Sequence, residues 1–179
     1  MKNFLHLIFA SLLFIISCQN TKTEMSNKII KVRVFNFVSN KYEVFSAQKK
    51  MIRTQNENYF IYDFDKKDDT LKFIDNQIYY KGQNLNKLDV KTINVNGNLI
   101  SITKCFFKNK RDFRGDKYLF VNDKIGLIFI HNSYGNMYEY DIKENSFMHK
   151  NIALNKLNFK DGDFEIKYAK MNYLDYKEL

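Results

Sequence analysis

The feature that most constrains this sequence is a period-two alternation of apolar and polar residues along much of the chain. In the stretch from residue 30 to 34, Ile30, Val32 and Val34 alternate with two basic residues. Such alternation places the apolar side chains on one face of a β-strand. Turn signals separate these stretches every ~8 to 12 residues, and no long helical pattern occurs between them. The sequence therefore predicts one all-β, antiparallel domain, which is an open barrel, a closed barrel or a sandwich.

The turn residues indicate how the strands are joined. Asn96 and Gly97 form the strongest hairpin signal, because a type I′ turn needs positive φ at both central residues. Asp161 and Gly162 give a second hairpin signal. Strands are predicted over residues 30–38, 42–47, 50–54, 59–64, 70–74, 77–81, 90–95, 99–107, 118–121, 125–131, 137–142 and 163–171.

The strand predicted over residues 125–131 differs from the others because it is apolar on both faces. Ile125, Leu127 and Phe129 are expected to point one way, and Ile128 and Ile130 the other. This pattern is typical of a central strand that is covered on both sides. The glycine at position 126 marks a bulge or a close backbone approach. Residues 146–157 fit either a short helix or an irregular strand.

The first seventeen residues have the three parts of a secretory signal. Lys2 supplies a positive start, an apolar run extends from Phe4 to Ile16, and the small residue Ser17 follows. The run is shorter than the roughly 20 apolar residues that a membrane-spanning helix needs. We therefore predict a signal helix over residues 1–17.

The end of this signal resembles the lipobox of bacterial lipoproteins, in which aliphatic and small residues precede a cysteine. Ile15, Ile16, Ser17 and Cys18 fill its four positions. The resemblance implies a diacylglyceryl group on the Cys18 sulfur, cleavage after Ser17 and acylation of the new amino terminus. Several acyl chains would hold the protein stably in a membrane, which one chain does not achieve. Because Gln19 stands where an aspartate favours inner-membrane retention, the family analogy implies the outer membrane.

This resemblance sets the expected domain organisation and location. Residues 1–17 are the signal peptide, residues 18–28 are the lipidated cysteine and a polar tether, and residues 29–179 are the β domain. The abundance of Asn, Lys and Ile, with few Ala, makes the mature chain similar to the small lipoproteins common in Bacteroidota. We expect a lipid-anchored protein of the cell envelope.

The chain is basic, with a formal net charge of +9. One dense patch is formed by Lys49, Lys50 and Arg53. The second, a predicted anionic-partner site around Phe113, is formed by Lys108, Lys110, Arg111, Arg114 and Lys117. An exported protein seldom meets nucleic acid, so we do not expect that partner. The expected partners are the membrane, through the lipid on Cys18, and an envelope protein, a lipid head group or an acidic glycan.

The search for residues that carry chemistry gives no catalytic, metal or cofactor site. Cys105 lies in an apolar strand and is expected to be a small buried hydrophobe. His131 and His149 lack zinc-ligand spacing. The acidic cluster of Asp63, Asp65, Asp68 and Asp69 contains two lysines and no glycine, so it predicts a hairpin rather than a calcium loop. No nucleophile elbow, phosphate loop or dinucleotide motif occurs, and we therefore expect no enzyme.

Two functions are consistent with these observations. The first is a non-enzymatic, lipid-anchored binding or interaction module of the envelope. The alternative is a carrier of an apolar or lipid ligand in a half-open β-barrel, similar in architecture to the lipoprotein-localisation factors. The chain has no Trp, which the lipocalin signature requires. A carrier needs an internal cavity lined by Phe and Ile, whereas a binding module needs a packed interior and an exposed site.

Overall fold

The fold is a single antiparallel sheet with one helix, as seen in a computed structural model. The structure describes residues 23–36, 39, 41–64, 67–109, 116–132, 136–153 and 157–159. The strands are β1 (Glu24–Asn36), β2 (Lys41–Arg53), β3 (Glu57–Phe64), β4 (Lys67–Ile74), β5 (Gln77–Tyr80), β6 (Gln83–Asn84), β7 (Asn86–Val95), β8 (Asn98–Phe107), β9 (Lys117–Asn122), β10 (Gly126–Asn132) and β11 (Met137–Tyr140), and the helix is α1 (Ile142–Ala153). The prediction of an all-β, antiparallel domain is confirmed.

The sheet curls into a nearly closed barrel. Its strand order is β6-β5-β4-β3-β2-β1-β11-β10-β9-β8-β7, and every neighbouring pair is antiparallel. The two outermost strands, β6 and β7, follow each other in the chain and are joined by Leu85. We call the end with the Asp75–Asn76 and Asn96–Gly97 turns the lower end, and the opposite end the upper end.

The middle of the barrel is filled by apolar and aromatic side chains. Tyr62 and Tyr140 meet edge to face with ring centroids 5.2 Å apart, and Tyr80 meets Phe107 in the same way at 5.3 Å. The buried members of this interior core are Ile30, Val32, Ala47, Phe60, Tyr62, Leu71, Ile78, Tyr80, Leu85, Cys105, Leu119, Val121, Leu127, Ile130 and Tyr140. Burial of this apolar surface is the main force that holds the sheet in its curled form.

A second core lies outside the barrel, where α1 covers one part of the sheet. The buried side chains of this outer core include Ile102, Phe120 and Ile128 from the strands, and Met148 and Ile152 from the helix. Every residue of β10 except Asn132 is buried, because the strand lies between the two cores. The prediction that this strand is central and covered on both sides is confirmed.

The predicted directions of two side chains in β10, Phe129 and Ile130, are wrong. A register shift occurs between Leu127 and Phe129, so the strict alternation stops there. Leu127 and Ile130 point into the barrel, whereas Ile128 and Phe129 point toward α1. A bulge adds one residue to a strand without a partner, which moves the following side chains to the opposite face.

Gly126 confirms the predicted close approach. Its φ is +88°, and a Cβ built there would lie 2.1 Å from the Tyr62 hydroxyl. The same hydroxyl accepts a hydrogen bond from the Leu127 amide at 2.7 Å. The Asn96–Gly97 turn is also confirmed, with φ of 52° and 84° as a type I′ turn requires.

Several predicted boundaries are corrected. β1 begins at Glu24, inside the predicted tether, and pairs with β2 along its whole length. The strands predicted over 42–47 and 50–54 are one strand, β2. The ambiguous stretch 146–157 is helical as far as Ala153, and the helix begins earlier, at Ile142. The signal peptide, Cys18, the Asp161–Gly162 turn and the strand predicted over 163–171 lie outside the described residues.

Among the residues that the structure describes, no helix is both long enough and apolar enough to cross a bilayer.

Candidate functional site

A large cleft lies at the lower end of the barrel, and we call it the lower cleft. Its volume is approximately 870 Å³. Its walls are formed by three turns with their neighbouring strand ends, at residues 54–58, 73–78 and 122–125, by residues 98–101 at the start of β8, and by Lys87 and Thr103. A cavity of this size lies within the range of about 300 to 1,000 Å³ that is usual for small-ligand sites.

The lower cleft exists because two strands lose a neighbour before they reach the lower end. β5 pairs with β6 only through Tyr79 and Tyr80. β9 pairs with Thr103–Phe107 of β8, so the rest of the β7–β8 hairpin extends beyond β9. The chain bridges the resulting gap by the Leu85 amide, which donates to the Ile78 carbonyl at 2.7 Å. The inner face of the β7–β8 extension is therefore left open to the cleft.

The rim of the lower cleft is held in place by asparagine side chains. Asn58 Nδ2 donates to the Asp123 carbonyl at 2.9 Å, which ties the start of β3 to the β9–β10 turn. Asn122 Nδ2 donates to the Ser101 carbonyl at 2.8 Å, and its Oδ1 accepts from the amides of Lys124 and Ile125. These bonds link the β9–β10 turn to the start of β3 and to β8, so the shape of the cleft is set before a ligand binds.

The lining is rich in amides and hydroxyls and nearly balanced in charge. It contains three carboxylates, Glu57, Asp75 and Asp123, against the two ammonium groups of Lys87 and Lys124. One of the carboxylates, on Glu57, already forms an ion pair with Lys72 at 2.9 Å. The cleft therefore offers many hydrogen-bonding groups but no cationic surface for an acidic partner.

The upper end contains a different cluster, in which a carboxylate is surrounded by tyrosines. Asp69 accepts a hydrogen bond from the Tyr80 hydroxyl at 2.6 Å and a longer one from the Tyr140 hydroxyl at 3.4 Å. It also forms an ion pair with Lys81. The Lys117 ammonium lies 5.5 Å from the centre of the Tyr80 ring. We call these five residues the aspartate–tyrosine cluster.

Burial dominates the protonation behaviour of this cluster. Removal from water raises the pKa of the Tyr80 and Tyr140 hydroxyls well above the usual value, and the negative charge of Asp69 raises both further. Burial lowers the pKa of the Lys117 ammonium, although Asp69 opposes this effect. The tyrosines are neutral donors at physiological pH, so the cluster is a hydrogen-bonded closure of the barrel interior.

The predicted anionic-partner site is only partly described. Lys108 is exposed at the end of β8, and its carbonyl accepts from the Gln83 side chain at 3.0 Å. Lys117 is half-buried and belongs to the aspartate–tyrosine cluster, and its part in binding an anionic partner stays a prediction. Lys117 lies on the same face of β9 as the buried Leu119 and Val121, which explains why its side chain points inward. Lys110, Arg111 and Arg114 lie outside the described residues.

The other residues considered for chemistry are separated in the fold. Asp63 and Asp68 are exposed opposite each other on β3 and β4, whereas Asp69 lies with the tyrosines. Within the described ranges, no group of three or more His, Cys, Asp or Glu could hold a metal ion. Cys105 is buried in the interior core, as predicted, and burial raises the pKa of its thiol to about 12.

Both histidines belong to the outer side of the sheet. His149 projects from α1, and its Nε2 lies 2.9 Å from the Ile128 carbonyl, which makes that nitrogen the donor. Burial lowers the pKa of both His131 and His149 to about 3. They are neutral at physiological pH and do not meet Asp69, which faces the barrel interior.

Sequence reasoning placed the buried Lys49 in a dense basic patch. Lys49 is only 8% exposed, although it was grouped there with Lys50 and Arg53. Its position could have been inferred, because residues 45, 47, 49 and 51 of β2 share one face and the other three are apolar. The Asp69 cluster had no such signal, since Tyr140 is 71 residues away in sequence.

Comparisons of the chain with protein-family models, with curated proteins and with solved structures found no match. The class of the protein is therefore defined by its fold and its cavities. It is a nearly closed antiparallel β-barrel with a packed middle and a polar cleft at one end.

Proposed function

We propose that this protein is a non-enzymatic, lipid-anchored binding module of the cell envelope, and that its ligand occupies the lower cleft. The ligand that fits best is uncharged and rich in hydroxyl groups, which is the chemistry of a neutral envelope glycan. The anchor would be the lipid on Cys18, and the membrane would be the outer membrane.

The observation that carries this proposal is the lining of the lower cleft. Amide and hydroxyl side chains surround a preformed space, and such groups can both donate to and accept from the hydroxyls of a sugar. Phe73 adds an apolar ring against which the face of a sugar can pack. The near balance of charge favours a neutral glycan over an acidic one.

The carrier alternative is less well supported. Where the structure describes the barrel interior, bulky side chains such as Phe60, Tyr62 and Leu71 fill it. An acyl chain would need an apolar cavity of several hundred cubic ångströms, roughly the volume of a small-molecule site. The lower cleft has that volume, but its lining is mostly polar. We therefore do not propose a carrier of apolar ligands within the barrel.

The binding proposal can be tested with matched serine variants. Ser101 and Ser46 are both exposed strand residues whose hydroxyls contact one other side chain, but only Ser101 lines the cleft. The full chain is titrated calorimetrically with neutral tetrasaccharides of glucose, mannose and N-acetylglucosamine. We expect Ser101→Tyr to weaken binding about tenfold or more by occupying the cleft, and Ser46→Tyr to leave it unchanged. Absence of binding by all the sugars, or equal loss in both variants, would contradict the proposal.

The proposed anchor needs a separate experiment. We expect Cys18→Ala to abolish labelling by a fatty-acid analogue and to release the protein from the membrane fraction. Cys105→Ala is the control, because that buried thiol is not part of the lipobox. Labelling that persists in Cys18→Ala would overturn the lipoprotein assignment.

A further inference from the structure

A second concavity lies beside the lower cleft, between the extended ends of β1 and β2, the first turns of α1 and the β7–β8 hairpin. We call it the lysine pocket, and its volume is approximately 440 Å³. Its walls include the apolar side chains of Met51, Ile100 and Met148. Lys28, Lys49 and Lys124 also line it, together with the carboxylate of Glu144.

The three lysines of this pocket are not equivalent. Lys28 Nζ forms ion pairs with Asp141 at 2.6 Å and with Glu144 at 2.7 Å, so its charge is neutralised by the start of α1. Lys124 is exposed in the β9–β10 turn. Lys49 is buried, and among the described residues it makes no ion pair.

The surroundings of Lys49 are poorly suited to a permanent ammonium group. Its Nζ donates to the Ile125 carbonyl at 2.5 Å and lies 5.5 Å from the centre of the Phe60 ring. Desolvation, helped by the charge of Lys28, lowers the pKa of Lys49 to about 8, while Asp141 and Glu144 oppose the shift. A buried cation that lacks a counter-ion is costly, and an anion placed beside it removes that cost.

We infer that the lysine pocket binds a carboxylate-bearing amphiphile of the fatty-acid class. The carboxylate accepts hydrogen bonds from the Lys49 ammonium, and Lys124 adds a second positive charge at the mouth. The alkyl chain lies against the apolar walls formed by Met51, Ile100 and Met148. The lysine pocket adjoins the lower cleft, with which it shares Ile100, Lys124 and Ile125, but Lys49 lines only the lysine pocket of the two.

The charge of Lys49 gives the site a defined pH dependence. Bound carboxylate favours the protonated amine, so the free protein must take up a proton when it binds the ligand above pH 8. The affinity is therefore greatest below the pKa of free Lys49 and falls as the pH rises through it. With that pKa at about 8, affinity should fall roughly tenfold between pH 7 and pH 9.

Calorimetric titration of the full chain with decanoate and decanol tests the inference. We expect decanoate to bind at least about tenfold more tightly than decanol, because only the acid gains a charge-assisted hydrogen bond. Lys49→Met should weaken decanoate binding about ten- to a hundredfold and remove the pH dependence. Lys50→Met is the matched control, since Lys50 is exposed on the opposite face of β2, and it should bind as the wild type does.

A second measurement uses only the wild-type protein, so it does not depend on the folding of a variant. Titration at pH 8.5 in two buffers of different ionisation enthalpy should show uptake of roughly 0.5 to 1 proton per decanoate. Decyl phosphate should bind less tightly than decanoate, and equal binding of the two would overturn the assignment of a carboxylate ligand. Equal binding of decanoate and decanol, or no proton uptake, would overturn the inference.

Discussion

Two hairpins of the same barrel, β9–β10 and β7–β8, have opposite environments. The β9–β10 hairpin lies in the middle of the sheet, with the barrel core on one side and α1 on the other. The β7–β8 hairpin lies at the edge, and its lower half has the helix on one face and the lower cleft on the other. The first hairpin is fixed by packing on two sides, whereas the second leaves one face available for a ligand. Substitutions in both hairpins, or in residues that contact them, test this contrast.

The largest expected effect is at the two hairpin glycines. Gly126→Ala places a methyl group 2.1 Å from the Tyr62 hydroxyl and 2.9 Å from the Phe60 ring. We expect a loss of about 4 kcal/mol or more in the free energy of unfolding, which denaturant melts measure. Gly97 also has positive φ, but nothing lies within 4 Å of a Cβ there. Gly97→Ala should cost only about 1 to 2 kcal/mol, and equal losses at both sites would remove the contrast.

A comparable test uses one leucine from each hairpin. Leu127 in β10 is 1% exposed and Leu99 in β8 is 78% exposed. Truncation of the buried side chain leaves a cavity, so Leu127→Ala should destabilise the protein by about 3 to 4 kcal/mol. Leu99→Ala should change the stability by less than about 0.5 kcal/mol in the same urea titration. A large loss at Leu99 would show that the cleft face is packed against another part of the chain.

The contact between α1 and β10 predicts sensitivity to acid. The pKa of His149 is lowered to about 3, so the folded state disfavours its protonation while the unfolded chain accepts the proton near pH 6.5. The stability contributed by neutral His149 is therefore present above pH 6.5 and is lost as the pH falls toward 3. His149→Gln keeps a donor for the Ile128 carbonyl but cannot titrate. We expect the variant to lose about 2 to 3 kcal/mol less than the wild type between pH 7 and pH 4. Parallel curves for the two proteins would contradict this account.

The smallest effect is expected where a tyrosine hydroxyl supports the β9–β10 hairpin. Tyr62→Phe removes the acceptor of the Leu127 amide and leaves that buried donor unsatisfied. The expected loss is about 1 to 2 kcal/mol by thermal or urea unfolding. Tyr79→Phe is the control, because among the described residues its hydroxyl donates to the exposed Gln77 side chain alone, and it should cost about 0.5 kcal/mol or less. A Tyr62→Phe protein as stable as the wild type would mean that another acceptor replaces the hydroxyl.

The same contrast explains which parts of the structure the sequence could predict. The uninterrupted apolar run of β10 predicted a central strand covered on both faces, because only such a strand needs apolar residues on both sides. The Asn96–Gly97 turn was predictable because its backbone conformation depends on two neighbouring residues. Both features depend on local chemistry that can be read from a few positions.

Features that depend on distant parts of the chain were not predictable in this way. The bulge that reverses Phe129 and Ile130 arises from pairing with β9, not from the composition of β10. The lower cleft results from the unequal lengths of β5, β8 and β9. The alternation of apolar and polar residues did not predict these lengths. The binding proposals rest on these non-local features, so the sequence predicted the type of domain but not where a ligand would lie.

The most direct test of the proposed function is hydrogen–deuterium exchange of the full chain with and without the best-binding neutral tetrasaccharide. The proposal predicts slower exchange of amides in residues 98–101 and 122–125, which line the lower cleft. It predicts no change at the Lys81–Gly82 turn, which lies near the upper end beside the aspartate–tyrosine cluster. Protection at that turn alone, or unchanged exchange at the cleft in the presence of saturating sugar, would contradict the assignment of the lower cleft as the binding site.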